Sequence, residues 1–219
     1  MTAVHPALSF SVVDSYADIY AASPQLQFRL RATEQTGETV HAIALRAQVM
    51  IEPQRRPYDE TEAAGVAEIF GGRDRWRQTL KPFMWTQANA MVKGFQNVID
   101  FELPVPCSYD FEVSAAKYLQ ALSGGDIPLR FLFSGTVFTR GETGFSVTQV
   151  PWSLESGYRM PVSQWREVID QFFPNTGWIR LDREMISELV RFKAARGLTT
   201  WDAVMESLLA SATESASLP

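Results

Sequence analysis

The stretch QLQFRLRATEQTGETVHAIALRAQVMI, residues 25–51, decides the fold class, because it contains two runs of alternating apolar and polar residues. In the first run, Leu26, Phe28 and Leu30 alternate with glutamine and arginine. Residues 43–51 repeat the pattern with Ile, Leu, Ala, Val and Ile at every second position. A period of two is typical of a strand with one buried and one solvated face. With a turn signal at Gly37, the two runs are expected to pair as a β-hairpin whose loop spans 34–38.

Strand-like runs recur on both sides of this pair, at 8–20, 79–92, 97–104, 109–116, 127–139 and 144–152. Mostly short connections favour antiparallel neighbours, because parallel strands need long crossovers. A short helical insertion is expected near 59–72, where Asp59 and Glu62 fit a helix start. The sequence therefore predicts an α+β protein whose residues 1–152 form a mainly antiparallel β-sandwich or open barrel.

Helical periodicity replaces the alternation after Trp152. Pro161 is suited to a first helical turn, Asp182 can cap a second helix, and Thr199 with Asp202 resembles a capping box for a third. We expect a C-terminal segment of about three helices within 153–212, packed on the β-rich region because its large apolar residues need burial. Residues 213–219 are small and polar and are expected to fray.

Composition limits the function classes. The 219 residues carry a formal net charge of −5, which argues against a general nucleic-acid binder. The single cysteine, Cys107, cannot form an internal disulfide, and no basic apolar leader or membrane-length apolar run occurs, so a cytoplasmic protein with no membrane insertion is expected. The sequence lacks the usual zinc spacings, the nucleophile-elbow motif and phosphate-binding glycine loops, so no cofactor and no catalytic residue is predicted.

A basic, aromatic segment offers one candidate binding surface. Arg73, Arg75 and Arg77 alternate around Trp76, and Trp85 follows after a proline. Arg and Trp are enriched at protein-binding hot spots, so this segment is a candidate partner surface. The alternative is a solvated loop with an anchoring tryptophan, whose arginines pair with the protein's own carboxylates.

A repeated Asp-Phe-Glu motif offers a second candidate. Asp100 and Glu102 would share one face of a strand, as would Asp110 and Glu112. If the two strands paired with the phenylalanines opposed, four carboxylates would gather and could hold a divalent cation or supply an acid and a base. Opposed like charges destabilise a strand pair, so a register that brings Lys or Arg across is the simpler alternative.

Three sequence words carry a family resemblance: IPLRFLFSGTVF (127–138), YRMPVSQWREVIDQFFPNTGWIRL (158–181) and RGLTTWDAVMESLL (196–209). They resemble an uncharacterised actinobacterial domain-of-unknown-function family whose members are often encoded near NiFe-hydrogenase genes. The resemblance implies an accessory role beside a larger enzyme and supplies no catalytic residues. One cysteine cannot hold an iron–sulfur cluster, so an electron-carrier role is not expected.

Two functional hypotheses follow. The first is a non-catalytic cytoplasmic accessory protein that binds a protein partner in an assembly or scaffold role, for a NiFe-hydrogenase system. The second is a small-molecule- or divalent-metal-binding β-domain, with enzymatic use of the Asp100, Glu102, Asp110 and Glu112 face. Sheet edges need protection, and a homodimer is one common means of supplying it.

Overall fold

Eight strands are present in a computed structural model that describes residues 7–107, 114–140, 144–174, 176 and 181–216. Their bounds are β1 Leu8–Ala17, β2 Gln25–Glu34, β3 Thr39–Ile51, β4 Phe83–Gln96, β5 Val98–Pro106, β6 Asp126–Arg140, β7 Phe145–Gln149 and β8 Glu155–Pro161. Every strand pair in this part of the chain is antiparallel. The predicted α+β class with antiparallel sheets is therefore confirmed.

The strands form two sheets. One has the order β1-β2-β5, and the other has β4-β3-β6 with both β7 and β8 on the far side of β6. The long strand β6 makes this possible, because β8 pairs with its first half and β7 with its last residues. Over the described residues neither sheet closes on itself into a barrel.

The hairpin expected over 26–51 does not form. Strand β2 pairs with β1 and β5, whereas β3 pairs with β4 and β6 in the other sheet. The chain changes sheets after Glu34, whose buried carboxylate accepts hydrogen bonds from the backbone N–H groups of Ala7, Thr36 and Gly37. The two alternating runs each have one buried face, and placing them in facing sheets buries both faces at once.

Aromatic side chains connect the inner faces of the two sheets. Phe28 of β2 lies at the centre, with its ring 5.1 Å from that of Phe131 and 6.4 Å from that of Trp85. Phe10 of β1 packs against Phe133 of β6 with ring centroids 4.8 Å apart. These contacts belong to one continuous buried cluster, which fixes which faces of the sheets point outward to solvent.

Short helices occupy the connections at one end of the sheets: α1 Glu60–Gly65, α2 Ala67–Phe70, α3 Trp76–Thr79 and α4 Ser114–Ala121. Asp59 caps α1 by accepting a hydrogen bond from the Glu62 N–H at 2.7 Å. The strand expected at 109–116 is wrong at its described end, because residues 114–116 begin α4. Ala115, Tyr118 and Leu119 are buried at helical spacing, which the strand predicted over 109–116 did not take into account.

A buried ion pair joins this helical insertion to the loop after α4. Arg56 Nη2 donates to the Glu62 carboxylate at 2.8 Å, and only 6% and 5% of the two side chains are exposed. The Glu62 carboxylate also accepts from the Ser123 N–H at 2.8 Å, and Arg56 donates to the Gly124 carbonyl at 3.1 Å. These bonds hold residues 56–62 against 123–124.

The C-terminal segment contains the expected three helices, α5 Val162–Phe172, α6 Arg183–Ala195 and α7 Trp201–Ala216. Helix α5 packs against β1, β2 and β8 and buries Val162, Trp165, Val168 and Ile169. The chain divides into two compact units, Met1–Trp178 and Ile179–Pro219, and α6 with α7 makes up the second, where Val204 is buried. No helix in the described ranges has the combined length and apolarity that crossing a membrane requires.

Candidate functional site on the outer face of the five-stranded sheet

An open depression of about 590 Å³ crosses the outer face of the five-stranded sheet. We call it the outer groove. Strands β3, β4, β6 and β7 supply its lining: Ala44, Leu45, Arg46, Asn89, Ala90, Met91, Ser134, Gly135, Thr136 and Gln149.

Strand register sets the shape of the outer groove. Ala44 lies in β3 opposite Met91 of β4 and Thr136 of β6, so a small side chain sits between two larger ones. Gly135 is the other small residue at this point. A Cβ atom there would lie 2.1 Å from the Ala44 carbonyl oxygen, and the Gly135 φ of +145° disfavours L side chains. The small Ala44 side chain between Met91 and Thr136 leaves the depression.

Arg46 is the one formally charged residue of the outer groove. It is exposed, and no hydrogen bond or ion pair joins its side chain to the part of the chain that the structure describes. Asn89 and Ser134 flank it in the neighbouring strands, and Met91 beside them is 70% exposed. A guanidinium with adjacent amide and hydroxyl groups suits a carboxylate, and the methionine offers adaptable apolar contact.

The loop after β7, which follows the groove residue Gln149, contains an exposed aromatic residue. Val150 N–H donates to the Gly135 carbonyl at 2.9 Å, which ties the start of this loop to β6. Trp152, two residues farther on, is 92% exposed. An exposed tryptophan is unusual on a solvated surface and is a typical anchor in protein interfaces.

The outer face of the three-stranded sheet is different, because its two arginines are paired with carboxylates. Register places Arg31 opposite Asp100 and Arg29 opposite Glu102, with N–O distances of 2.7 and 3.1 Å. The hydrogen bond from Arg31 holds the pKa of the Asp100 carboxyl below its usual value. This is the arrangement with arginines across that the sequence left open.

The four-carboxylate metal hypothesis gains no support from this face. Asp110 and Glu112 lie outside the described residues. Among the residues that are described, no three His, Cys, Asp or Glu side chains come together in a way that could hold a metal ion. The two carboxylates that are described, Asp100 and Glu102, already have arginine partners.

The basic, aromatic segment that begins at Arg73 starts with helical turns: a 3-10 turn at Arg73–Arg75 leads into α3. Its arginines therefore do not line one side of a strand. Arg73 donates to the carbonyls of Tyr58 and Asp59, both at 3.0 Å, and its guanidinium lies 5.1 Å from the Trp76 ring centroid. Arg73 thus holds the segment to the start of α1.

The remaining members of that candidate surface separate into two groups. Trp76 and Trp85 are partly buried against the core, and Trp76 Nε1 donates to the Gly71 carbonyl at 3.1 Å. Arg75 and Arg77 are exposed and make no ion pair with described residues. Only these two arginines present unengaged charge to a partner.

Cys107 is buried, and burial raises the pKa of its thiol to about 12. The thiol therefore stays protonated at neutral pH and is a poor nucleophile.

Sequence reasoning missed Arg46, Met91, Gly135 and Trp152. Arg46 is one of the solvent-facing residues of the β3 alternation, where charged residues are common. Nothing in the sequence shows that its side chain lacks an ion-pair partner. Gly135 lies inside a predicted strand, and an isolated glycine there does indicate close backbone approach. That was the one signal available.

A family model matches residues 5–217, almost the whole chain. The chain belongs to DUF6084, a family of unknown function. This agrees with the resemblance to a domain-of-unknown-function family. No curated protein matches the DUF6084 chain.

Solved structures similar to this DUF6084 chain share little with it. A β-glucosidase from Kluyveromyces marxianus is 7% identical, with a TM-score of 0.25, and the alignment covers 71% of this chain and 15% of that one. AggA, the major subunit of aggregative adherence fimbriae type I from Escherichia coli, is 8% identical, with a TM-score of 0.26, over 71% of this chain and 94% of that one. At these TM-scores the likenesses carry no argument about fold or function.

Proposed function

We propose that this protein is a non-catalytic cytoplasmic accessory protein that binds a protein partner through the outer groove. The observation that carries the proposal is the contrast between the two outer faces. Arginines on the three-stranded sheet are paired with carboxylates, whereas Arg46 is exposed without a partner among the described residues. An unpaired arginine beside exposed Met91, with exposed Trp152 in the loop after β7, has the composition of an interface.

The family resemblance supports a component of a NiFe-hydrogenase system as the partner. The outer groove would then receive a carboxylate side chain on that protein's surface. Arg46 offers a bidentate fork to such a carboxylate, while Asn89 and Ser134 offer additional hydrogen bonds.

A small carboxylate-bearing molecule is the second candidate occupant. The volume of the outer groove falls within the range of about 300–1,000 Å³ that is typical of ligand pockets. The small-molecule hypothesis then places the binding site in the outer groove instead of on the face with Asp100 and Glu102.

The test is affinity purification of the tagged protein from its native host, with identification of whatever co-elutes. Three chains are compared: the wild type, Arg46→Glu, and the double variant Arg75→Ser/Arg77→Ser, which removes the two unengaged arginines of the sequence-predicted surface. We expect a hydrogenase-system protein to co-elute with the wild type and with the double variant, and to be lost with Arg46→Glu at an unchanged melting temperature.

Other results would overturn parts of the proposal. Loss of the partner only with Arg75→Ser/Arg77→Ser would move the contact to α3. Retention of the partner by all three chains would exclude both surfaces. Native mass spectrometry that shows a small molecule on the wild type, absent from Arg46→Glu, with no co-eluting protein, would establish the second candidate instead.

A further inference from the structure

We propose that the outer edge of β4 pairs with β4 of a second copy of this chain, as antiparallel strands related by a two-fold axis at Ala90. Strand β4 is the terminal strand of the five-stranded sheet, and one edge of it pairs with β3. Over the described residues no strand pairs with the other edge. This inference does not rest on the proposed function.

Hydrogen bonds around β6 show which β4 backbone groups point outward. The Phe133 N–H donates to Leu154, and the Gly135 carbonyl accepts from Val150, so both residues point away from β3. Because directions alternate along an antiparallel strand, Ser134 and Thr136 point toward β3. A third bond agrees: the Pro128 carbonyl accepts from the Glu52 N–H at 2.9 Å, so Pro128, an even number of residues before Ser134, also points toward β3.

The same alternation of backbone directions can be followed through β3 to β4. Arg46 lies opposite Ser134 and points toward β6, so Leu45 and Ala47 point toward β4. Their partners there are Ala90 and Ala88. The N–H and C=O groups of the intervening residues, Gln87, Asn89 and Met91, therefore face the open edge. Apart from a long hydrogen bond of 3.5 Å from the Thr86 hydroxyl to the Gln87 carbonyl, these groups have no partner among the described residues. A row of unpaired backbone groups is a template for another strand.

This edge has few of the features that protect edge strands. Strand β4 runs for 14 residues with no proline, and Lys93 is its only formal charge. By contrast, β5 contains Pro104 and Pro106, β1 has a bulge between Val12 and Asp14, and β7 is only 5 residues long. Prolines, bulges and short length are the usual protections against edge pairing, and β4 lacks the first and the last of them.

The side chains allow β4 to pair with itself. Asn89 and Met91 share the outer face of the sheet. In a dimer with a continuous sheet, each outer-face residue of one β4 must therefore lie opposite an outer-face residue of the other β4. A two-fold axis at Ala90 places Asn89 opposite the partner's Met91 and Gln87 opposite the partner's Lys93. No like charges are opposed in this register, and the small Ala90 side chains meet at the axis. Centring the axis on Lys93 would instead oppose two ammonium groups.

Pairing in this register places the second copy's strand beside Met91, whose side chain is 70% exposed and still points to the outer face. The outer grooves of the two copies would then meet at the axis, since Asn89, Ala90 and Met91 line the groove. The second copy fits this edge better than an unrelated strand because the uncharged stretch 87–91 complements itself.

Sedimentation velocity of the full chain over a concentration series tests the proposal, together with amide exchange followed by NMR. We expect self-association from 24.6 kDa to twice that mass. As the dimer forms, the amides of Asn89 and Met91 should gain protection. Those of Ala88 and Ala90, already bonded to β3, should not change.

The double variant Asn89→Lys/Met91→Lys places lysines opposite lysines on both sides of the axis, and it should weaken association by roughly tenfold or more. The matched control, Ser11→Lys/Val13→Lys, adds the same charge to exposed positions on β1 and should dimerise like the wild type. Mixing Asn89→Lys with Met91→Glu should favour the mixed dimer. A wild type that stays monomeric, larger open-ended assemblies, or a dimer that the β4 variant leaves intact would each overturn the proposal.

Discussion

Arg56 and Glu62 show how one residue pair fixes a segment that has little regular structure of its own. Burial alone would raise the pKa of the Glu62 carboxyl, but hydrogen bonds from Ser123 and the Arg56 guanidinium hold that pKa below its ordinary value. Arg56 Nη1 makes no hydrogen bond although it is buried, so the pair is not fully satisfied. Removing the carboxylate would leave a buried cation with even fewer partners.

We therefore predict that Glu62→Gln lowers the free energy of unfolding by about 3–5 kcal/mol at neutral pH, as measured by urea denaturation. Glu60→Gln is the matched control on the same helix. Its carboxylate is 93% exposed and its pair with Arg73 lies at the surface, so its effect should be no more than about 1 kcal/mol. An equal loss in both variants would show that the buried pair has no special role.

The same pair gives stability a pH dependence of known sign. A carboxyl whose folded-state pKa is lowered contributes stability that is fully present above its unfolded pKa of 4.5 and is lost as pH falls through the folded-state pKa. The unfolding free energy of the wild type should fall in that window. Glu62→Gln should show a smaller fall, with the remainder due partly to Glu34, whose pKa is also lowered.

Gly135 shows how close two elements approach within the five-stranded sheet. Strands β3 and β6 pair along most of their length, and Gly135 lies opposite Leu45, next to the Ala44 carbonyl. Gly135 also lies between the part of β6 that pairs with β8 and the part that pairs with β7. A glycine is required here by both backbone conformation and space.

Gly135→Ala is therefore expected to destabilise the protein by about 3 kcal/mol or more, through overpacking and backbone strain. The measurement is the melting temperature by circular dichroism. Gly157→Ala in β8 is the control, because a Cβ atom there meets nothing within 4 Å and the backbone needs no positive φ. Equal melting temperatures for the two variants would contradict the close-approach explanation.

At the scale of the whole molecule, α5 belongs to the first compact unit, whereas α6 and α7 belong to the second. Helix α5 covers β1, β2 and β8 with four buried side chains, each worth about 1.5–3 kcal/mol when fully buried. We predict that a chain ending at Pro161 is insoluble or unfolded, while one ending at Trp178 unfolds cooperatively in urea. A soluble, cooperatively folded 1–161 fragment would show that α5 is dispensable.

Much of the element pattern was accessible from the sequence, because alternation and capping are local properties. The strands at 26–31 and 43–51, the Asp59 cap and the three C-terminal helices follow from residue spacing. The β2–β3 hairpin was wrong because alternation identifies the buried face of a strand but not its neighbours. The candidate site was largely missed, since Arg46 differs from Arg29 and Arg31 only in what lies opposite.

The sequence by itself determined the α+β class, the antiparallel character and which faces are apolar, because these depend on the order of side chains along each segment. Only the tertiary structure decided that β2 and β3 lie in different sheets, that Asp100 and Glu102 meet arginines, and that β4 is left at an edge. The physical reason is that backbone hydrogen bonds are alike for every strand. Pairing is therefore chosen by how all the apolar faces can be buried together, a condition on the whole chain that no single segment contains.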